Sequence, residues 1–177
     1  MNKSMVNNSI FSDGGCSFSN PSKIGGTWCW ALVENNQVKK SSSGIITPND
    51  LDLPTITNNV SELYAAYQAI SSLPPDWYGT LYTDSSVTLH RFTHGHSFNG
   101  IPDWLKEEVL KLRKDKNWNV TLVAGHPTKA ELLQGFRSRN GLPVSVWNKW
   151  CDEECTRLGK SMWSSTQPSR NGRKKRK

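Results

Sequence analysis

The sequence predicts a three-layer α/β domain, a mixed sheet of five strands with helices on both faces. Two observations carry this. Three strand-like segments come first, joined by turn residues, and the pattern then changes to helices alternating with strands, giving the order β-β-β-α-β-α-β-α. Antiparallel strands followed by alternating helices and strands build one mixed sheet, because each parallel addition needs a crossover that lands on a sheet face.

Residues 9–12 (SIFS) are partly apolar and stop at Asp13-Gly14-Gly15, a turn signal. Residues 27–33 (TWCWALV) are rich in aromatic and β-branched side chains, as strands are. Glu34-Asn35-Asn36 is the expected hairpin turn and 37–46 the returning strand. Over 59–72 the period changes: Val60, Leu63, Tyr64, Tyr67 and Ile70 recur at three- and four-residue steps, the mark of a helix with one buried face. Pro74-Pro75 ends it. Residues 80–83 (TLYT) form a short strand before Asp84-Ser85. Pro102 suits a helix start, with Trp104, Leu105, Val109, Leu112 and Trp118 on or near one stripe. A strand at 120–124 and a helix at 146–158, with Trp147, Trp150, Cys151 and Leu158 apolar, complete the order.

A chain of 177 residues suits about one domain with a real core. Eight Trp and five Phe oppose wholesale disorder. No apolar run approaches the ~20 residues of a spanning helix, and MNKSMVNNSIF has no stretch like a signal peptide. The expectation is therefore a cytoplasmic, monomeric protein with no membrane association. Residues 1–7 read as a flexible lead, 8–159 as the domain and 160–177 as a basic tail.

The net charge of +7 is unevenly placed, because six of the last eight residues, RNGRKKRK, are basic. The remainder is close to neutral. Such a tail is expected to stay solvated and disordered. Anchoring to nucleic-acid phosphates is one functional reading and nuclear import another. The four cysteines, Cys16, Cys29, Cys151 and Cys155, are spaced C-x12-C and C-x3-C with no His in finger spacing. Reduced thiols are the expectation, with a zinc site the alternative.

Four acids stand at or near element ends: Asp13 after the first strand, Asp84 after the fourth, Glu62 one turn into the first helix and Asp152 early in the last. Taken singly, each has a plain structural account as a turn residue, a cap, a dipole partner or a solvated side chain. Taken together they describe a cluster. Neighbouring strands lie ~4.8 Å apart, so two aspartates on adjacent strands can face one point while a helix adds a third carboxylate. Such a cluster raises its own pKa values unless a cation neutralises it. Mg²⁺ and Mn²⁺ prefer these ligands.

The contexts of these residues resemble the bacterial-type ribonuclease H family. Asp13-Gly14-Gly15-Cys16 with Asn20-Pro21 and Gly25-Gly26 is similar to its opening, and Thr57-Asn58-Asn59-Val60-Ser61-Glu62-Leu63 to its helix start. Tyr82-Thr83-Asp84-Ser85 is similar to its fourth strand end, Ala124-Gly125-His126-Pro127 to its histidine loop, and Asn148-Lys149-Trp150-Cys151-Asp152-Glu153 to the start of its last helix. The resemblance runs in order from about Ile10 to Leu158. It implies the ribonuclease H-like fold and hydrolysis of the RNA strand of RNA–DNA hybrids, leaving 5′-phosphate and 3′-hydroxyl ends. It implies that Asp13, Glu62, Asp84 and Asp152 hold two Mg²⁺ ions (or Mn²⁺), and that His126, on a mobile loop, assists proton transfer or product release. It further implies substrate contacts from Gly14, Cys16, Asn20, Thr57, Asn58 and Asn59, with Asn58 or Asn59 alternatively capping the helix.

The sequence departs from the family in three places. The Lys-rich helix-loop after the fourth strand is replaced by His90-Arg91-Phe92-Thr93-His94-Gly95-His96 and then one helix from about Pro102. Ser86 stands where the family usually has Gln. The interval from Pro127 to Cys151 is long, and its Lys129, Arg137, Arg139 and Lys149 are candidate substrate contacts. His90, His94 and His96 read as a solvated loop, with a metal site as the alternative. Two other functions compete: a DNA nuclease or transposase-like enzyme of the same fold, and a non-catalytic hybrid-binding module. The Thr57-Asn58-Asn59 helix start favours reading of 2′-hydroxyls, and the presence of all four acids opposes the module.

Overall fold

In the computed structural model, which describes residues 8–114, 116–135, 137–138 and 140–166, β1 (Ser9–Cys16) is the central strand. It pairs antiparallel with β2 (Gly26–Glu34), which pairs antiparallel with β3 (Gln37–Ile46). On its other edge β1 pairs in parallel with β4 (Gly79–Thr83), and β4 with β5 (Trp118–Leu122), giving the order β3-β2-β1-β4-β5. This is the mixed five-stranded sheet expected. The lead at 1–7, Arg139 and the tail from 167 onward lie outside the described residues.

Asn35 and Asn36, with φ of 50° and 58°, form the two-residue loop between β2 and β3. Positive φ at both central residues matches the turn twist to the strand twist, and Asn tolerates it.

Alternation along β1 assigns its two faces. Ile10 points to a core formed with α2 (Asn58–Ser71) and α4 (Asp103–Lys114), through Val60, Leu63, Ile70, Leu105 and Val109. Phe11 points to the opposite core, where Cys29, Ala31 and Val33 meet Cys151 and Cys155 of α6 (Val146–Thr166). Burying one such aliphatic or aromatic side chain stabilises by roughly 1.5–3 kcal/mol. Helices therefore cover both faces, as predicted. All four cysteines are free thiols. Among the described residues no helix is long and apolar enough to cross a membrane.

Three helices went unread in the sequence: α1 (Pro48–Leu51), α3 (Ser86–His94) and α5 (Lys129–Gln134). The interval after β4 thus holds α3 and α4, not one helix. α3 buries Thr88, Arg91 and Phe92, so two of its inward residues are polar and its apolar stripe is faint. Its caps are better signals: Ser85 Oγ accepts from the Thr88 N–H at 3.1 Å, and Gly95 closes the helix at φ 68°. In α5, Thr128 and Glu131 form a reciprocal capping box.

α6 continues past the expected end at 158 to Thr166. Met162 is buried, and Trp163 stacks on Phe18, which explains the added turns.

Candidate active site

Asp13-Gly14-Gly15 is not a turn. β1 runs through it to Cys16, with Asp13 paired to Cys29 and Gly14 to Trp28. The glycines serve a close approach instead. A Cβ on Gly14 would come within 2.6 Å of the Glu62 N and nearer still to the Ser61 carbonyl carbon. Only a strand without a side chain there lets the first turn of α2 lie against it, and this sets Glu62 beside Asp13.

The register supplies the next carboxylate. Phe11 lies opposite Tyr82 on β4, and their rings stack at 4.8 Å. Two residues further on, the same register brings Asp13 alongside Asp84, just beyond the end of β4. The ligand oxygens of Asp13, Glu62 and Asp84 lie within 4.8 Å of one another, and they are the one such group of potential metal ligands among the described residues. Asp152 stands outside that trio but lines the same cleft of 590 Å³. His126 Nδ1 is 3.4 Å from Asp152 Oδ2, and its side chain is 80% exposed.

The electrostatics follow from the crowding. Burial, then the charges of Asp84, Asp152 and Glu62, holds the Asp13 carboxyl well above the ordinary range. Burial pushes Glu62 up to about 7, with Ser85 and Arg91 opposing and Asp84 adding to the rise. Burial also raises Asp84, against the Asn148 side chain and His126. Asp84 Oδ1 is buried without a hydrogen-bond partner. An orphaned buried carboxylate oxygen beside two more carboxylates fits a hard divalent cation, whose charge would restore all three to the ionised state.

A pH dependence follows from these shifts. Without divalent ions the folded protein holds more protons than the unfolded chain between about pH 4 and 7, so its stability falls as pH rises through that window. Below the unfolded-state values near 4 this contribution is fully present. Thermal denaturation in EDTA is expected to show the melting temperature falling from pH 5 to 7.5, and Mg²⁺ is expected to reverse the fall above pH 7. A flat or rising profile in EDTA would contradict the clustering.

The other sequence-derived positions divide between two places. Gly14, Cys16 and Asn58 line the carboxylate cleft. Asn20, Thr57 and Asn59 line a neighbouring pocket of 390 Å³ with Arg91 and Asn99. Thr57, not Asn58 or Asn59, is the N-cap of α2, its Oγ1 accepting from the Val60 N–H at 3.2 Å. Asn20 Oδ1 accepts from the Asn58 N–H at 3.1 Å and so ties the β1–β2 loop to that helix start. The Cys16 thiol donates to the Ile56 carbonyl at 3.1 Å, and burial raises its pKa to about 11.

Two of the cations from the interval 127–151 are engaged locally: Arg137 Nη1 donates to the Gly141 carbonyl at 2.7 Å, and Lys149, within α6, pairs with Glu153 at 3.4 Å. His90, His94 and His96 gather their ring centroids at 5.3–6.3 Å on the surface, without the ligand convergence of the carboxylates. Three contributors to the site were not singled out in the sequence. Ser85 bonds Glu62, buried Asn148 lies against Asp84, and Gly125 lies so close to Asp84 that a Cβ would be 3.1 Å from its Oδ2. Asn148 was visible as the first residue of the motif around Asp152.

A β3-β2-β1-β4-β5 sheet with carboxylates from within β1, from just beyond β4 and from α2 gathered at one point defines a ribonuclease H-like α/β protein. The RNase H family model matches residues 6–157, and the chain belongs to that family, which makes it a hydrolytic ribonuclease. It is 27% identical over 148 residues to a ribonuclease H of Caldanaerobacter subterraneus, covering 83% of this chain and 87% of the relative. It is 37% identical over 97 residues to a ribonuclease H of Chlorobium phaeobacteroides, covering 55% of this chain and 53% of the relative. Among solved structures it is similar to RNase H1 of the archaeon Halobacterium salinarum, with a TM-score of 0.59 at 18% identity, covering 88% of this chain and 98% of that one. A ribonuclease H1 isolated from compost gives 0.60 at 18% identity, covering 90% and 99%. The two structural likenesses speak for the fold.

Proposed function

We propose that the protein is an endoribonuclease that hydrolyses the RNA strand of RNA–DNA hybrids, leaving 5′-phosphate and 3′-hydroxyl ends, and that it acts as a cytoplasmic monomer. The observation that carries this is the convergence of Asp13, Glu62 and Asp84 in a cleft shared with Asp152, His126 and Asn58. Asp13, Glu62, Asp84 and Asp152 would hold two Mg²⁺ or Mn²⁺ ions, which when bound lower the pKa of water and offset the charge that develops on the leaving oxygen.

The chain's own groups do the rest. Gly14 keeps the strand close enough to α2 for Asp13 and Glu62 to act at one point. Asn58 faces the cleft with both a donor and an acceptor, the combination a 2′-hydroxyl satisfies. Asn20, Thr57 and Asn59 would take the backbone of the hybrid in the neighbouring pocket. His126, exposed and 3.4 Å from Asp152, would move a proton at its ring nitrogen as product leaves.

The test is incubation of the purified protein with a labelled RNA–DNA hybrid, with and without Mg²⁺, beside duplex RNA and duplex DNA. Metal-dependent cleavage confined to the RNA of the hybrid is expected. Cleavage of duplex DNA would favour the transposase-like alternative, and binding without cleavage the non-catalytic one.

The basic tail enters this reading as a non-specific anchor. Six of its last eight residues are cationic, while all four carboxylates lie outside it. Deleting 169–177 is expected to weaken binding to hybrid, duplex DNA and duplex RNA alike, since phosphate contacts carry no sequence information. If three charges engage phosphates, the slope of log K against log salt falls by about 2–3. Equal slopes for both forms, measured without metal to prevent cleavage, would make the tail a passenger.

A further inference from the structure

One wall of the cleft is not accounted for by the carboxylates or the asparagines. Phe18, on the β1–β2 loop, and Trp163, near the end of α6, stack with ring centroids 3.4 Å apart and planes 30° from parallel. Both line the same cleft as Asp13, Glu62 and Asp84. The pair is nonetheless exposed, Phe18 by 55% and Trp163 by 39%. Phe18 also has φ 72°, a left-handed conformation that a bulky aromatic side chain adopts at a cost and that clusters at functional sites. A loop that serves only to join two strands does not need to display a strained aromatic residue to water. Lys160 lies one turn before Trp163 and lines the cleft too, and among the described residues it has no carboxylate partner.

We propose that Phe18, Trp163 and Lys160 form a strand-gripping wall. The two aromatic rings pack against ribose faces of the RNA strand beside the scissile phosphate, and Lys160 neutralises a phosphate on that strand. The inference rests on the hybrid-ribonuclease reading above. Its physical basis is continuity and charge. The wall begins two residues beyond Cys16, at the end of the strand that carries Asp13, so a strand seated on the carboxylates passes it. In a paired A-form-like duplex the bases are stacked inward and the shallow groove presents sugars and 2′-hydroxyls. Flat aromatic surface therefore meets sugar faces, and an adjacent ammonium meets the phosphates between them. The contact is sequence-tolerant, because every nucleotide offers the same sugar and phosphate.

The experiment measures kcat and KM on a labelled hybrid in Mg²⁺, and Kd in EDTA, for the wild type and for Phe18→Ala, Trp163→Ala, Trp163→Phe and Lys160→Ala. Phe18→Ala and Trp163→Ala are expected to raise KM and Kd by about 5-fold, the lower end of the range for an aromatic platform that stacks bases, since these rings meet sugar faces. Their kcat at saturation should stay within about twofold of the wild type, because neither side chain carries a group that can ligate a metal or move a proton. Trp163→Phe should recover most of the affinity. Lys160→Ala should lower the salt slope of log K by about 0.9. Phe18→Leu, which keeps bulk but removes the flat face, replaces Phe18→Ala if that variant loses its melting transition. Unchanged KM and Kd in an active, folded protein would overturn the inference and leave the ribonuclease reading standing. A fall in kcat at unchanged KM would also overturn it, since the pair would then only pin α6. Failure of the wild type to cut the hybrid would instead overturn the reading beneath.

Discussion

Asp84→Asn is expected to bring hybrid cleavage to background while the protein stays folded. The change preserves volume and removes one negative charge from the centre of the cluster, where Asp84 lies alongside Asp13 and, with it and Glu62, forms the group converging within 4.8 Å. Losing a ligand of the ions that would offset the developing charge is expected to cost at least about 10²–10³-fold in turnover. Stability should move the other way. The partly buried Asp84 carboxyl has a raised pKa, and it raises those of Asp13 and Glu62 in turn. Neutralising it relieves that repulsion in the metal-free protein, and each kcal/mol recovered is worth about 2–4 °C for a chain of this size. Two measurements check this: single-turnover cleavage in Mg²⁺ and thermal denaturation in EDTA at pH 7.5. Wild-type rates in the variant would remove Asp84 from the site. A lower melting temperature in EDTA would show that its charge is already compensated within the fold.

How much of this was readable beforehand depends on which force shaped each element. The helix carrying Val60, Leu63 and Ile70 was legible because burial of one face writes a period into the sequence, whereas the strand from Gln37 to Ile46, buried only at its last residue, was legible as the return of a hairpin. The hairpin was legible because Asn35 and Asn36 suit a backbone that few residues tolerate. Asp13-Gly14-Gly15 misled because glycine pairs signal turns when read locally. Their cause is the approach of α2, which is remote in sequence. α3 and α5 were hidden by polar inward faces or brevity, although their caps were present in the letters. The four acids were read in the right order, and Glu62, Asp84 and Asp152 in the right element, but Asp13 lies within β1 and not after it, and their grouping depends on strand register and on Gly14. For that reason the separation of Asp152 from the tight trio, and the parts played by Ser85, Asn148 and Gly125, emerge only in three dimensions. The length of α6 was missed for a related reason. Gly159, Lys160 and Ser161 carry no apolar period, and the turns beyond Leu158 are held by Met162 in the core and by the contact of Trp163 with Phe18.

Gly14→Ala is expected to be far more damaging than its single methyl group suggests. The added Cβ would stand 2.6 Å from the Glu62 N and closer still to the Ser61 carbonyl carbon, both of them backbone atoms. Backbone cannot rotate away as a side-chain tip can, and α2 cannot slide freely, because Val60 and Leu63 are locked into the core. Overpacking of this kind costs roughly 3 kcal/mol, at the upper end of its usual range, and so a fall of about 6–12 °C in melting temperature. Where the protein does fold, α2 must move outward and take Glu62 away from Asp13, so cleavage and Mg²⁺-induced stabilisation should fall together. Gly15→Ala is the matched control. Its Cβ would meet only Thr27 Oγ1 at 3.6 Å, an ordinary contact, in the same strand and one residue along. It should melt within about 4 °C of the wild type and still gain stability from Mg²⁺, because replacing Gly by Ala at a tolerant position changes stability by only ~0.4–1 kcal/mol. The pair separates a general aversion of this strand to side chains from the specific closeness of Gly14 to the helix. If Gly14→Ala melts like the wild type and still gains stability from Mg²⁺, the strand does not set the distance between Asp13 and Glu62.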